Sequence, residues 1–390
     1  MTPAPLQGCR VLDLGIITAG AATSALLADM GAEVIKVESP HYRDPFRLWA
    51  AGDPAAGSGG LPPFFRATNR NKLGISLDLK HESGRAAFLR LVANSDIVVE
   101  NFRRGVLGRL GLDYEALRSA NPAIILASVS SQGETGPDAG YVSYGSTLEA
   151  VAGLAWLTGY PDGPPTISGR DVNYPDQIVA IFAAGIIATA WRVRRNGGGG
   201  THLDLSQREL TSFLCGEAFL AAGRDAAPAR AGNAQAPHRV QDCFRDQDGK
   251  WVAVTVDAAD IDRLRTVPGM GTPRSDADLD TALRAWIASR PGAEAVASLE
   301  AAGIAAAPVL DGHSLLSLQH QLWDNALSRT DGGDLVKGFP FQLSEAPLRI
   351  TRDAPGIGSH SAEILTRVAG YSPAQVAALA RAGVIELEPG

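Results

Sequence analysis

The segment 8–38 constrains the fold more than any other. Cys9–Leu14 (CRVLDL) is apolar and rich in strand formers, and Ala19–Met30 has helical spacing built largely from small residues. Gly31 stops that helix, and Glu33–Val37 (EVIKV) reads as a second strand. A strand–helix–strand unit of about 30 residues predicts a parallel βαβ crossover. The alternation continues. Leu73–Leu77, Asp96–Glu100 and Ile124–Ser128 read as strands; Ser83–Val92, Val106–Leu110 and Tyr114–Ser119 read as helices. This predicts an α/β protein with a doubly wound, Rossmann-like parallel sheet.

Two Gly/Pro-rich segments interrupt the pattern, 41–65 and 132–147, and irregular stretches of that length inside a domain are commonly functional. Phe46, Trp49, Phe64 and Phe65 of the first are candidates to line a ligand pocket or simply to pack the loop. Gln177–Arg195, with Pro175 before it, is the longest helical signal. The run Gly197–Gly200 follows a helix where a phosphate loop would precede one, so it reads as a turn into the strand His202–Leu205 and the helix Gln207–Ala221. The texture then changes. We expect a large domain over 1–222, a linker at 223–235, a small α/β domain at 236–315 opening with a hairpin (Gln241–Phe244 and Trp251–Val256), a second linker at 316–339, and late strands and two short helices, Ser361–Ala369 and Ser372–Ala382, in 340–390.

Composition narrows the function classes. With 35 Lys and Arg against 42 Asp and Glu, the formal charge is −7, without the basic footprint of a nucleic-acid binder. The apolar run Ile178–Trp191 is shorter than the roughly 20 residues of a membrane span, and the N-terminus lacks the basic and apolar regions of a signal peptide. Cys9, Cys215 and Cys243 are far apart and lack metal or disulfide spacing. We expect a cytoplasmic protein with neither metal nor tightly bound cofactor, in contact with neither nucleic acid nor membrane. Histidines 41, 202, 238, 313, 320 and 360 are scattered and read as surface or structural residues.

Several motifs, in order along nearly the whole chain, resemble those of the class III CoA-transferases (the CaiB/BaiF family), typified by formyl-CoA transferase and carnitine CoA-transferase. They are Val11–Glu38, Asn69–Lys80 (NRNKLGISLDLK), Glu100–Leu112 (ENFRRGVLGRLGL), Tyr174–Arg194 with Thr201–Glu209 (THLDLSQRE), and the late pieces Ala302–Val309 and Ala354–Leu365. The resemblance implies an interlocked, ring-like homodimer. It also implies a Rossmann-like large domain completed by the C-terminal tail, a smaller inserted α/β domain, and transfer of CoA from an acyl-CoA such as succinyl-CoA to a carboxylic acid.

It further implies that Asp176 is the nucleophile, with Ala183 and Ala184 as the paired small residues that follow it. The chemistry is independently sound. A carboxylate with a reference pKa of about 3.9 is ionised at neutral pH and needs no general base. It can expel a thiolate from a thioester, giving a mixed anhydride and then an aspartyl-CoA thioester. A helix N-terminus supplies N–H groups for its charge and for an oxyanion. Asp176 also suits a plain N-cap role; Asp171 is too early for the register.

By the same resemblance, Asn101, Phe102, Arg109, Leu110, Arg70 and Lys72 match CoA-contacting positions, and Tyr144 a tyrosine near CoA. Each has a structural alternative: an exposed turn for Arg70 and Lys72, a solvated helix face for Arg109, core for Leu110, packing for Tyr144. Thr18 and Ala19 lie in the first strand-to-helix turn, where small residues allow close approach to a ligand. The chain departs from the family at Thr18, where formyl-CoA transferase has Gln, at Ala21 in place of Pro, and at Ser39 in place of Arg. A racemase of the same superfamily would need a His where this chain has Tyr144, a poor base at neutral pH. A silent CoA-binding subunit would not need Asp176. A nicotinamide enzyme would need G-x-G-x-x-G where only Gly15 and Gly20 stand.

Overall fold

The computed structural model describes residues 3–49, 61–168, 172–224, 226, 229–271, 275–317, 327–330, 333, 335–338, 341, 343–346 and 348–388. Its first compact unit comprises Met1–Leu154, Ser168–Gly216 and Trp323–Gly390, and its second Ala155–Ile167 and Glu217–Leu322. The expected helix from Leu315 and parts of both expected linkers, together with Asp171 and His320, lie wholly or partly outside the described residues.

The first unit is built on β1 (Arg10–Asp13), α1 (Ala19–Asp29), β2 (Glu33–Glu38), α2 (Pro63–Asn69), β3 (Leu73–Ser76), α3 (Glu82–Ala93), β4 (Ile97–Glu100), α4 (Val106–Arg109), α5 (Tyr114–Ala120), β5 (Ile125–Ser130), α6 (Gly145–Val151), α8 (Tyr174–Arg195), β6 (Thr201–Ser206) and α9 (Gln207–Phe213), while the short α7 (Leu154–Leu157) falls, but for its first residue, in the second unit. All six strands pair in parallel, in the order β3-β2-β1-β4-β5-β6. Both faces of the sheet are covered, so β1 to β5 are buried almost throughout. One face carries Leu12, Ile35, Ile75 and Leu126 against α3, α5 and the C-terminal helices. The other carries Val11, Val34, Val99 and Ala127 against α1 and α8. Alanines on the facing sides of α1 and α8 let these two helices pack directly on each other.

β3 is an edge strand closed by the C-terminal tail. His360 N–H donates to the Gly74 carbonyl at 2.8 Å, Gly74 N–H to His360 Nδ1 at 3.1 Å, and Ser76 N–H to Ser361 Oγ at 3.0 Å. A Cβ on Gly74 would lie 2.7 Å from the Gly356 carbonyl oxygen, so this closure requires glycine. α8 is long and apolar enough to cross a membrane by length and composition. Here it forms the crossover between β5 and β6, with Val179, Ala183, Ile187 and Trp191 buried.

In the second unit β7 (Val240–Arg245), β8 (Trp251–Val256) and β9 (Ala305–Pro308) form an antiparallel sheet. Asp246 sets the hairpin turn by accepting from Asp248 N and Lys250 N at 3.0 and 2.7 Å. Phe244, Val254, Leu283 and Trp286 fill its core.

Three local expectations are corrected. α8 begins at Tyr174 and takes Pro175 into its first turn, where the missing N–H has no helical partner to lose. The helix expected over Gln207–Ala221 is two, Gln207–Phe213 and Gly216–Ala222, parted at Leu214–Cys215. Among the described residues the late strands precede residue 340, as the hairpin Leu327–Arg329 with Leu335–Lys337; Ser361–Arg367 and Pro373–Arg381 are the late helices.

Candidate active site

Strand order reverses between β1 and β4, and in an open parallel sheet ligands bind outside the carboxyl ends at that point. Each crossover helix runs back against its strand, so α1 and α8 both start at this carboxyl edge. Thr18, Ala19 and Asp176 are thereby brought to the same end of the same face.

The turn from β1 to α1 is tied down at every step. Gly15 N–H donates to Asp13 Oδ1 at 2.8 Å, and Ile16 N–H to Asn101 Oδ1 at 2.8 Å. Asn101 Nδ2 returns a bond to the Ile16 carbonyl at 3.0 Å. Ile17 N–H donates to Asp44 at 3.2 Å, and Lys36 Nζ donates to the Gly15 carbonyl. Ile17 sits at φ 60°, a left-handed conformation that β-branched residues avoid. Glycine is required at both ends of the turn: a Cβ on Gly15 would lie 2.4 Å from the Gly20 carbonyl carbon, and one on Gly20 2.9 Å from Asn101.

Beneath the turn lies a buried charged network. Lys36 and Asp44, both fully buried, pair at 3.0 Å; Lys72, also fully buried, pairs with Asp13 at 2.8 Å. Burial pulls Lys36 down, but Asp44, Asp13 and Glu38 outweigh it and hold the ammonium above its ordinary value. For Lys72 burial wins and lowers it to about 8; Asp13 opposes this and Lys36 adds to it. Arg47 closes the network on Glu38 at 2.6 Å. Arg70 is buried against Asp29, whose carboxyl is raised by burial in spite of that partner. Arg70 and Lys72 are thus internal cations serving Asp29 and Asp13. They lie neither on an exposed turn nor where their charge faces a phosphate in solvent.

Asp176 is the acidic residue of the first turn of α8. The cap position itself is Asn173, at φ 46°, so Asp176 is not the N-cap. Its carboxylate is half-buried and faces Gly145, where a Cβ would lie 2.9 Å from Asp176 Oδ2 and 3.2 Å from Asn173 Oδ1. Burial raises the carboxyl from 3.8 to about 6, moderated by its own backbone N–H. No described cation pairs with it. The result is a poorly solvated carboxylate, still ionised at pH 7, at a helix terminus rich in N–H groups.

Tyr144 precedes Gly145, so it is next to Asp176 in space; its side chain is 64% exposed and free for a ligand. Phe102 and Leu110 pack against the core on the α3/α5 face, which supports the core reading of Leu110. Arg109 is exposed at the end of α4. Phe102 N–H donates to Glu100 at 2.8 Å. Burial raises the Glu100 carboxyl to about 7 against its bonds from Ser128 and Phe102, with Glu134 and Asp204 adding to the rise. The structure thus gathers Thr18, Ala19, Asn101, Phe102, Asp176 and Tyr144 around the carboxyl edge. Lys36, Asp44, Gly145 and Asn173 were not signalled by sequence reasoning. The available cue was Lys36, a charged residue between the apolar Ile35 and Val37 within a strand, EVIKV.

Of the loop aromatics, Phe46 and Phe65 are buried in a small cluster with Ala354, Ile17 and Leu61, while Trp49 and Phe64 stay exposed. Cys9 and Cys215 are buried, and burial pushes the Cys9 thiol far up. His202 bonds Ser128 at 2.9 Å and stacks on Tyr114. Among the described residues no three His, Cys, Asp or Glu side chains form a metal-sized group.

The profile of CoA-transferase family III matches residues 6–361. The chain is 30% identical to a succinate–glutarate CoA-transferase of Agrobacterium fabrum over 93% of this chain and 96% of that one. It is 34% identical to an acetyl-CoA:oxalate CoA-transferase of Acetobacter aceti over 87% and 89%. A crystal structure of a CaiB/BaiF family protein from Brucella suis superposes with a TM-score of 0.86 at 29% identity, covering 94% of this chain and all of that one.

Proposed function

We propose a mechanism from one premise: the chain belongs to CoA-transferase family III. It is an enzyme of CoA transfer. In the proposed cycle the Asp176 carboxylate attacks the thioester carbonyl of an acyl-CoA and the C–S bond breaks, leaving an acyl–aspartyl anhydride and CoA thiolate. The thiolate attacks the Asp176 carbonyl, releasing the donor acid and forming an aspartyl-CoA thioester. An acceptor carboxylate then displaces the thiolate to give a second anhydride. Attack of the thiolate on the acceptor carbonyl yields the new acyl-CoA and restores Asp176. No proton is transferred at any step, so Asp176 needs no general base.

The observation that carries this reading is Asp176 itself, a half-buried carboxylate in the first turn of α8 that has no cation partner among the described residues and whose carboxyl is raised by burial to about 6. Desolvation makes a carboxylate a stronger nucleophile while leaving it ionised at pH 7. Thr18, Ala19, Asn101, Phe102 and Tyr144 line the CoA arm, exposed Arg109 meets its phosphates, and Leu110 stays in the core beneath. Arg70 and Lys72 support the site from beneath. The donor and acceptor are short dicarboxylic acids or their CoA esters, succinyl-CoA first among them. Support comes from relatives whose names specify succinate, glutarate and oxalate.

The protein works as an interlocked homodimer in a reducing, cytoplasmic compartment. α8 supports the dimer, because Ile181 and Val193 on its outer face are 59% and 57% exposed. The same face borders an apolar groove of about 630 Å³.

A screen of acyl-CoA donors against carboxylic acids, read by mass spectrometry, tests the reaction. Asp176→Ala should fold and lose exchange, and hydroxylamine should release the acyl group from Asp176 in the parent. Turnover by folded Asp176→Ala would exclude the mechanism. Deuterium uptake at the substrate α-carbon without an acceptor acid would replace it with a racemase.

A further inference from the structure

We propose that the buried Lys36–Asp44 pair is a positioning device that holds Ile17 in its left-handed conformation, so that the N–H groups opening α1 are presented to the acyl oxygen during transfer on Asp176. The inference rests on the proposed reaction and assigns work to residues that the reaction does not touch.

The geometry carries it. Lys36 and Asp44 are both fully buried and bonded at 3.0 Å, an arrangement that apolar residues would fill at least as stably. Their remaining bonds go to the turn: Lys36 Nζ to the Gly15 carbonyl, and Asp44 from Ile17 N–H at 3.2 Å. Asp44 Oδ1 also accepts from Phe46 N at 3.0 Å. The Ile17 side chain packs with Phe46 and Phe65, so the strained residue is gripped at its amide and at its side chain. With Asp13 on Gly15 and Asn101 on Ile16, the N–H groups of Gly15, Ile16 and Ile17 are all taken up inside the protein. The next N–H groups, from Thr18 to Ala21, open α1 and have no acceptor within the helix. They lie at the carboxyl edge where α8 also begins.

A backbone held at positive φ by buried charges persists only where the surroundings over-determine it, as they do here. Preorganised N–H groups stabilise developing charge because they need no rearrangement during the reaction. The pair therefore acts through the turn, and its loss should appear in turnover more than in binding.

Two variants of the full-length protein separate positioning from plain stability. Lys36→Met with Asp44→Leu removes both charges together, so no unpaired charge is buried, and the melting temperature should stay near the parent's. Ile17 N–H then has no acceptor, and kcat should fall at least about tenfold with the acyl-CoA Kd, measured calorimetrically, within about threefold. Asp44→Asn keeps an oxygen for Ile17 N–H but leaves Lys36 short of a carboxylate. It should melt lower yet keep kcat within about threefold. Activity that follows melting temperature across the two variants overturns the inference. So does a double variant with parental kcat, or one whose loss lies in Kd alone. A parent inactive with every donor and acceptor would instead refute the proposed reaction, so the two failures are distinguishable.

Discussion

At the scale of single residues the deciding feature is solvation. Asp176 was legible as a carboxylate next to a long helix, because Tyr174-Pro175-Asp176 and the alanines at 183 and 184 set its register. What the residues could not convey is that the carboxyl is raised to about 6, since the shift comes from burial by segments distant in sequence. The consequence is a pH dependence. The reactive form is the carboxylate, so kcat/KM should fall with unit slope below pH about 6 and level off above it. An acidic limb near the ordinary value of 3.8 would contradict the burial of Asp176.

The sign for stability is opposite. A carboxyl raised in the folded state favours folding below its unfolded value and loses that contribution as pH rises through about 6. Asp176→Asn should therefore be inactive, yet more stable than the parent at pH 7.5 by on the order of 1–3 kcal/mol, read by denaturant titration. Gly145→Ala adds a Cβ 2.9 Å from Asp176 Oδ2 and should lower kcat at least about tenfold while the protein remains folded. No local rule singles out Gly145, because its partner is 31 positions away in sequence.

Among elements, the alternation of strands and helices was readable from β1 to β5 because parallel strands buried on both faces are written as largely apolar runs, and at β6 from the apolar–polar alternation of THLDLS. The misreadings fall where local signals conflict. Proline ordinarily marks a helix boundary, yet Pro175 lies in the first turn of α8, which accepts it. The break at Leu214–Cys215 carries no strong stop signal. Arg70 and Lys72, matched by resemblance to CoA-contacting positions with an exposed turn as the alternative, are instead paired inside with Asp29 and Asp13, because a buried carboxylate can hold a cation away from the surface where charge ordinarily lies. The edge strand β3 gives a prediction at this scale. Gly74→Val would drive side-chain atoms into Gly356 and Pro355 and part the C-terminal tail from the sheet. Unfolding in denaturant should register a loss of about 1–3 kcal/mol or more.

For the whole molecule the tail matters beyond one strand. Ile364, Leu365, Val376 and Ile385 belong to the same core as Leu12 and Ile35, so the first unit is completed by its last residues. The outer face of α8 makes the oligomer testable. Ile181→Glu together with Val193→Glu puts charge on an exposed apolar surface, which a monomer would tolerate. In the proposed dimer it should lower the sedimenting mass or the yield of folded protein, and a parent that sediments as a monomer would refute the dimer.

The order of strands and helices along the chain and the long helix beside Asp176 were determined by local sequence, since each depends on periodicity within a few residues. Only the tertiary structure decided which charges are buried, which carboxyl is raised, and that Lys36, Asp44, Asp13 and Asn101 converge on one turn. Those properties are set by desolvation and by distances between groups far apart in the chain, and residue spacing along a sequence does not encode either of them.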